Sequence, residues 1–417
     1  MIKRLAIELK PDNRRVICFP YYHSVEKNKS NTINRIYNNV KSLDKVLIQE
    51  IYDKVVAEFS GRHKDFFKIL HNTFTHIKKY LPEKVDNLSD IQKNLLASYF
   101  LKEYSVEAAA LFNPSMVIHP QQDSKEKLKI LMSLRATGEQ HISSIEFVEG
   151  YINKNNEMEL AERGLICRLP ELSAVDIEKS VMQFDDDVTL SEQVIFPLTA
   201  DESNGIEDVR FVWFEDDDGK RSFYGTFTAF NGTQIKSKLI CTTDFKKYTI
   251  RSMKGQAIED KGMALFPRKI DNKYAMISRQ DGENMRIMFS EDILTWDSSK
   301  IIQEPELPWQ FAKLGNCGSP IELDEGWLLL VHGVGPLRKY VMGAYLLDKD
   351  DPVKILKRTI QPILQAVGDE REGYVPNVVY SCGGICHNNT IFIPFAISDL
   401  ASSVVSVHVN DILDMME

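Results

Sequence analysis

Two hydrophobic rhythms divide the chain. From about Thr32 to Leu101 apolar residues return at helical intervals. Leu47, Ile51, Val55 and Phe59 form one stripe, and Phe66, Phe67, Leu70, Phe74 and Ile77 a second. Such spacing puts each set on one face of a helix. Pro82 closes the second stripe, because proline removes a helical donor. Ser89 and Gln92 have the spacing of a capping box ahead of Leu95-Leu96 and Tyr99-Phe100. Before these helices, Val16-Ile17-Cys18-Phe19 suits a short strand that Pro20 ends. The pattern predicts a three-helix N-terminal extension over residues 1–107. Its stripes are core, and no chemistry is assigned to them.

After Glu107 the period changes to two. Short β-rich runs such as Lys129–Leu134, Ser222–Phe227, Tyr274–Ile277 and Trp327–Val331 alternate with glycine, asparagine and aspartate turns. Asp218-Gly219 and Asn231-Gly232 are hairpin signals. Val209, Pro267, Pro320 and Pro376 occupy equivalent places in phrases 53 to 58 residues long, and Asn113-Pro114 opens an earlier one. Repeats of about four strands are propeller blades. The fold predicted is therefore mostly β: a five-bladed β-propeller over residues 108–417, preceded by the α-helical extension.

Composition narrows the function. The 417 residues carry a net charge of −9, which argues against a nucleic-acid partner, since that needs a basic footprint. The first residues lack the apolar core of a signal peptide, and no run reaches the length of a membrane span. Cys18, Cys167, Cys241, Cys317, Cys382 and Cys386 are scattered, which suits reduced thiols in a cytoplasmic protein. Cys382 and Cys386 lack a matching second pair, so no metal is expected.

The candidate chemistry centres on Gly205-Ile206-Glu207-Asp208-Val209-Arg210. In a regular strand Asp208 and Arg210 share a face and Glu207 points away. A surface ion pair is the bland alternative. Polar groups recur at equivalent places of other copies: Asn113, Arg135, Glu139 and His141 in the first, Lys261 and Arg279 in the third, His332 in the fourth, Tyr374 and Asp399 in the fifth. In a propeller these would converge on one funnel. Taken alone, His332 after an apolar run suits a satisfied core histidine, and Lys261 a solvated surface lysine.

These phrases resemble glycoside hydrolase family 130, the β-mannoside phosphorylases and mannosidases. The resemblance is carried by Phe112–Ser115, Gly205–Arg210, Lys261–Pro267, Gly326–Gly333 and Tyr374–Val379, and it covers about residues 108–417. It implies a five-bladed propeller that cleaves terminal β-mannosidic bonds with inversion. Asp208 is then the general acid, and Arg210 contacts the mannosyl unit. Asn113, Arg135, His141, Tyr374 and Asp399 complete the sugar site. The resemblance places Lys261, His332 and Tyr340 on phosphate, with Arg279 and Arg338 close by in sequence. The family's further arginine aligns with Lys236, and Val209 stands where the family has proline.

The expected partner is a β-mannoside oligosaccharide, with inorganic phosphate as co-substrate and no cofactor. The expectation leans to phosphorolysis, giving mannose 1-phosphate. Hydrolysis of the same bond by water is the alternative, and a non-catalytic glycan-binding propeller is an alternative of another class. A furanosidase-like enzyme would instead use Asp208, Glu139 and Asp399. The helical extension has the length to cover its own funnel or to build a homo-oligomer interface.

Overall fold

The computed structural model describes residues 2–21, 30–81, 85 and 87–417; Pro82, expected to break the second stripe, lies outside them. The chain divides into two compact units. One comprises residues 13–106 with 164–168, and the other residues 1–12, 107–163 and 169–417.

The smaller unit holds α-helices at Ser30–Ser42, Lys45–Phe59, Phe66–Ile77 and Asp90–Ser98, one more than the stripes predicted. The first of these has its own stripe, Ile33, Ile36, Tyr37 and Val40, which the reading from Leu47 onward passed over. Ser89 and Gln92 form the capping box, satisfying orphan amides at the helix start. Phe66, Leu70, Phe74 and Ile77 are buried, with Leu95 and Leu96. Two stripe members face solvent instead: Phe67 is 53% and Leu47 39% exposed, and Ile48, next to Leu47 in the same helix, turns inward. Val16–Pro20 is a strand paired antiparallel with Leu101–Ser105.

The larger unit is made of antiparallel strands in five successive groups. Ala110–Ile118, Lys127–Thr137 and Ser143–Asn153 form the first. Gly205–Glu215, Arg221–Phe230, Ile235–Thr242 and Lys247–Ser252 form the second. The two are joined in one sheet through a parallel pairing of Gly205 with Ser143. Gly205 has φ +134°, and a Cβ there would lie 2.7 Å from the Ser143 nitrogen, so the join requires glycine. The third group runs from Ala264 to Gln303 and the fourth from Lys313 to Arg358. Val379–Tyr380, Thr390–Ile397 and Ala401–His408 make the fifth, and Lys3–Arg4 adds its outer strand. The first twelve residues thus belong with these strands and not with the helices. Gly219 and Gly232 take positive φ at the two hairpin turns.

Apolar residues of the first two strand groups pack together in one core, for example Phe147, Phe211, Phe223, Phe245 and Tyr248. Glu107 and Glu146 are buried in the same unit, and Arg163 bonds both. All six cysteines are free of disulfides. Among the described residues no helix is long and apolar enough to cross a membrane.

Candidate active site

The site is built on two matching irregularities. The strand Ala110–Ile118 shifts register between Phe112 and Ser115, and Gly205–Glu215 does so between Glu207 and Arg210. Each shift inserts one extra residue, which is a β-bulge. The bulges place Asn113 at φ 48° and Asp208 at φ 54°, a region that asparagine and aspartate tolerate better than other side chains. The two side chains then meet, with Asn113 Nδ2 donating to Asp208 Oδ1 at 2.7 Å.

The bulge also overturns the alternation expected of a regular strand. Glu207 does not point away from Asp208. Arg135 joins the two, its Nη1 lying 3.2 Å from Asp208 Oδ1 and its Nη2 2.8 Å from Glu207 Oε1. Arg210 is the residue that turns under. It is almost fully buried, donating to the Asp208 carbonyl at 2.9 Å and to Tyr380 Oη at 2.6 Å.

A cavity of about 630 Å³ opens over this arrangement, within the usual size of a small-molecule site. Asn113, Arg135, His141, Asp208, Lys261, Arg279, Tyr340, Tyr374 and Asp399 all line it, as expected from sequence. Every one of the five strand groups contributes. His141 and Tyr374 meet at the rim, Tyr374 Oη standing 3.3 Å from His141 Nδ1.

Three expected residues are absent from the lining. Arg210 acts from beneath the floor. His332 is wholly buried behind Arg279, whose Nη1 donates to His332 Nε2 at 3.0 Å. Because a guanidinium only donates, the imidazole must accept there and is neutral, its Nδ1–H donating to the Asn316 carbonyl at 3.2 Å. Burial, then the Arg279 charge, push the His332 pKa well below its ordinary value. A Cβ on Gly315 would lie 2.7 Å from the imidazole, so the pair needs glycine there. Lys236 does not reach the cavity: its side chain is 46% exposed, and its ammonium lies 3.6 Å from Asp201. Glu139 is also outside the lining, which leaves Asp208 and Asp399 as the lining carboxylates among the described residues and removes the furanosidase-like set.

Lys313 and Tyr380 line the cavity without having been expected. Lys313 lies in Phe311-Ala312-Lys313-Leu314-Gly315, where the local pattern reads only as a solvated lysine. Its register, Lys313 opposite Val334, brings it beside the His332 strand. Burial, then Arg279, lower its pKa.

The two lining carboxyls are set apart electrically. Burial would raise Asp208, but Arg135, Arg210, Lys261 and the Asn113 bond outweigh it and bring the pKa to about 2. Burial, then the charge of Asp208, lift Asp399 to about 6. Divergent carboxyls above a wall of cations suit acid–base work on a neutral polyol beside an anion.

A family model described as beta-1,4-mannooligosaccharide phosphorylase matches residues 174–417. A 1,2-beta-oligomannan phosphorylase from Thermoanaerobacter sp. is 35% identical over 228 residues, 54% of this chain and 75% of that one. A beta-1,2-mannobiose phosphorylase from Listeria innocua is 28% identical over 313 residues, 73% of this chain and 84% of its own. The solved beta-1,2-mannobiose complex of the Listeria innocua enzyme superposes with a TM-score of 0.53 at 23% identity, covering 75% of this chain and 92% of that one.

Proposed function

This chain belongs to glycoside hydrolase family 130, and from that premise we propose that it is a β-mannoside phosphorylase releasing mannose 1-phosphate. The observation that carries this is the wall formed by Lys261, Arg279 and Lys313 in the same cavity as Asp208. Such a wall matches an anionic nucleophile, whereas hydrolysis needs a carboxylate to activate water there. The relatives' names point the same way, and two of them specify the β-1,2 linkage, which we adopt for this chain.

In this mechanism Asp208 gives its proton to the glycosidic oxygen as the bond from C1 to that oxygen breaks. A phosphate oxygen forms the new bond to C1 from the opposite ring face, so the β-mannoside yields α-mannose 1-phosphate. Arg279, Lys261 and Lys313 hold the phosphate, and Tyr340 lies within the same wall. His332 orients Arg279 from behind, and Arg210 fixes the Asp208 backbone. Asn113, Arg135, His141, Tyr374 and Asp399 bind the sugar. Asp208 is ionised in the empty site, and phosphate charge offsets the cations that keep it so. The nucleophile thus favours the protonated acid.

The larger unit is read as a five-bladed propeller and the catalytic domain, each strand group being one blade. Incubation with β-1,2-mannobiose, with and without phosphate, tests the function. Mannose 1-phosphate formed only with phosphate is expected. Free mannose at a rate indifferent to phosphate would establish hydrolysis instead.

A further inference from the structure

Glu207 is a carboxylate in a place where a phosphate site has little use for one. It is not part of the cavity lining, yet both its oxygens are engaged with cations that are. Oε1 lies 2.8 Å from Arg135 Nη2, and Oε2 lies 3.3 Å from Lys261 Nζ. Its side chain is 13% exposed and that of Arg135 18%, so solvent screens their pair weakly, and the pair with Lys261, 35% exposed, more. The bulge before Arg210 is what makes this possible. Without it Glu207 would face the other side of the strand, and Arg135 could not span two consecutive carboxylates.

We propose that Glu207 is a positioning residue that divides its charge between Arg135 and Lys261, and so sets how much positive field remains for phosphate and for the acid. This rests on the phosphorolytic reading above. The cationic groups around the cavity are Arg135, Arg210, Lys261, Arg279, Lys313 and Arg338, six against the three carboxylates Asp208, Asp399 and Glu207. A phosphate dianion adds two negative charges to those three, leaving the site close to balance with a small excess of positive charge. Removing Glu207 leaves two carboxylates, and the excess of positive charge then pulls in two directions. It tightens the hold on phosphate, and it opposes protonation of Asp208.

Asp208 is faced from every side by groups that enter this balance. Asn113 and Arg135 come from the first strand group, with Glu207 and Arg210 from its own strand. Lys261 comes from the segment leading into the third group, and Tyr380, Cys382 and Asp399 from the fifth. Of these, Glu207 is the carboxylate that is bound directly to two of the cations without lining the cavity. It therefore tunes the site without touching the substrate.

The test is steady-state phosphorolysis of β-1,2-mannobiose by Glu207→Gln, which keeps the shape and removes the charge, across a range of phosphate concentration and pH. Expected are a phosphate KM lowered about three- to tenfold and an alkaline limb of kcat moved down by about half to one pH unit. The sign follows from the acid's role. A general acid works only while protonated, so a lower pKa ends activity at a lower pH. Phosphate ionisation is common to both enzymes and cancels in the difference. Glu207→Ala removes the same charge without an amide and is expected to move both quantities in the same directions, so either variant suffices. Glu207→Asp keeps the charge and is expected to keep the wild-type limb. A phosphate KM that is unchanged or raised, with an unmoved limb and a lowered kcat, would reduce Glu207 to a structural brace and overturn the proposal. Absence of mannose 1-phosphate from the wild-type enzyme would instead overturn the functional reading beneath it.

Discussion

Two cavities of this molecule are opposites. The one within the helical unit, about 250 Å³, is lined by Cys18, Val55, Phe59, Phe66, Leu70, Leu95 and their neighbours, almost all apolar. Burial pushes the Cys18 thiol up to about 12, which keeps it unreactive. The cavity over Asp208 is lined by charges, and its backbone is strained. Among the described residues, all sixteen non-glycine positions with positive φ lie outside 13–106, and seven of them line that cavity: Asn113, His141, Asp208, Leu337, Arg338, Asn377 and Asp399. Each such position costs about 1–3 kcal/mol and persists only where surrounding structure enforces it. The helical cavity is a packing imperfection between relaxed elements. The β cavity is a place where packing has been overridden to aim side chains.

If that contrast is right, substitutions in the two regions fail differently. The largest effect belongs to Asp208→Asn. Asparagine tolerates the same φ and can still accept from Asn113, so the melting temperature should hold. Turnover should fall about 10²–10⁴-fold, the usual worth of a general acid. Mannose 1-phosphate release alongside a thermal melt separates the two; a melt lowered in step with activity would count against the contrast. Leu70→Ala should do the reverse. Leu70 is fully buried, and its loss should cost about 2–5 kcal/mol in urea unfolding. A cost near zero would mean the helical core is looser than its packing implies.

Asp399→Asn gives the smallest effect and the one that depends on pH. With its pKa lifted to about 6, the folded protein binds a proton there more tightly than the unfolded chain does. That contribution is complete below the unfolded value near 4 and is lost as pH rises through about 6. At pH 7.5 the ionised carboxyl therefore burdens the empty site. Asparagine should stabilise the protein there by about 1–3 kcal/mol, with little difference at pH 4. Denaturation at both values decides it, and equal effects at the two would show that Asp399 is not strained by its charge.

Much of the architecture was legible because it follows period and turn chemistry. Asp218-Gly219 and Asn231-Gly232 marked their hairpins, and Ser89 with Gln92 marked a helix start. The helical stripes were less exact at Leu47 and Phe67, where a one-residue rotation moves a side chain from core to solvent. The site was legible only as a set of residues. Alternation gave the wrong face for Glu207, because a bulge is a property of two paired strands and leaves no mark in one of them. Asn113 and Asp208, both residue types that accept left-handed backbone, were the available hint. Lys236 was named from its alignment with a family arginine, and Lys313 was not singled out, because a sequence does not reveal which strand ends reach the cavity. His332 is the buried core histidine that its apolar run suggested, with a cavity arginine as its partner.

The pairing of Lys3 with Ser406 has a consequence for biogenesis. A ribosome delivers that first short strand about four hundred residues before its neighbour exists. Until Ala401–His408 emerges, the segment has no ladder to join, while most of the helical stretch between them is free to fold at once. Long-range closure of this kind is slow. The nascent β-sheets therefore pass through a period with an unsealed edge, when chaperones would have most to hold.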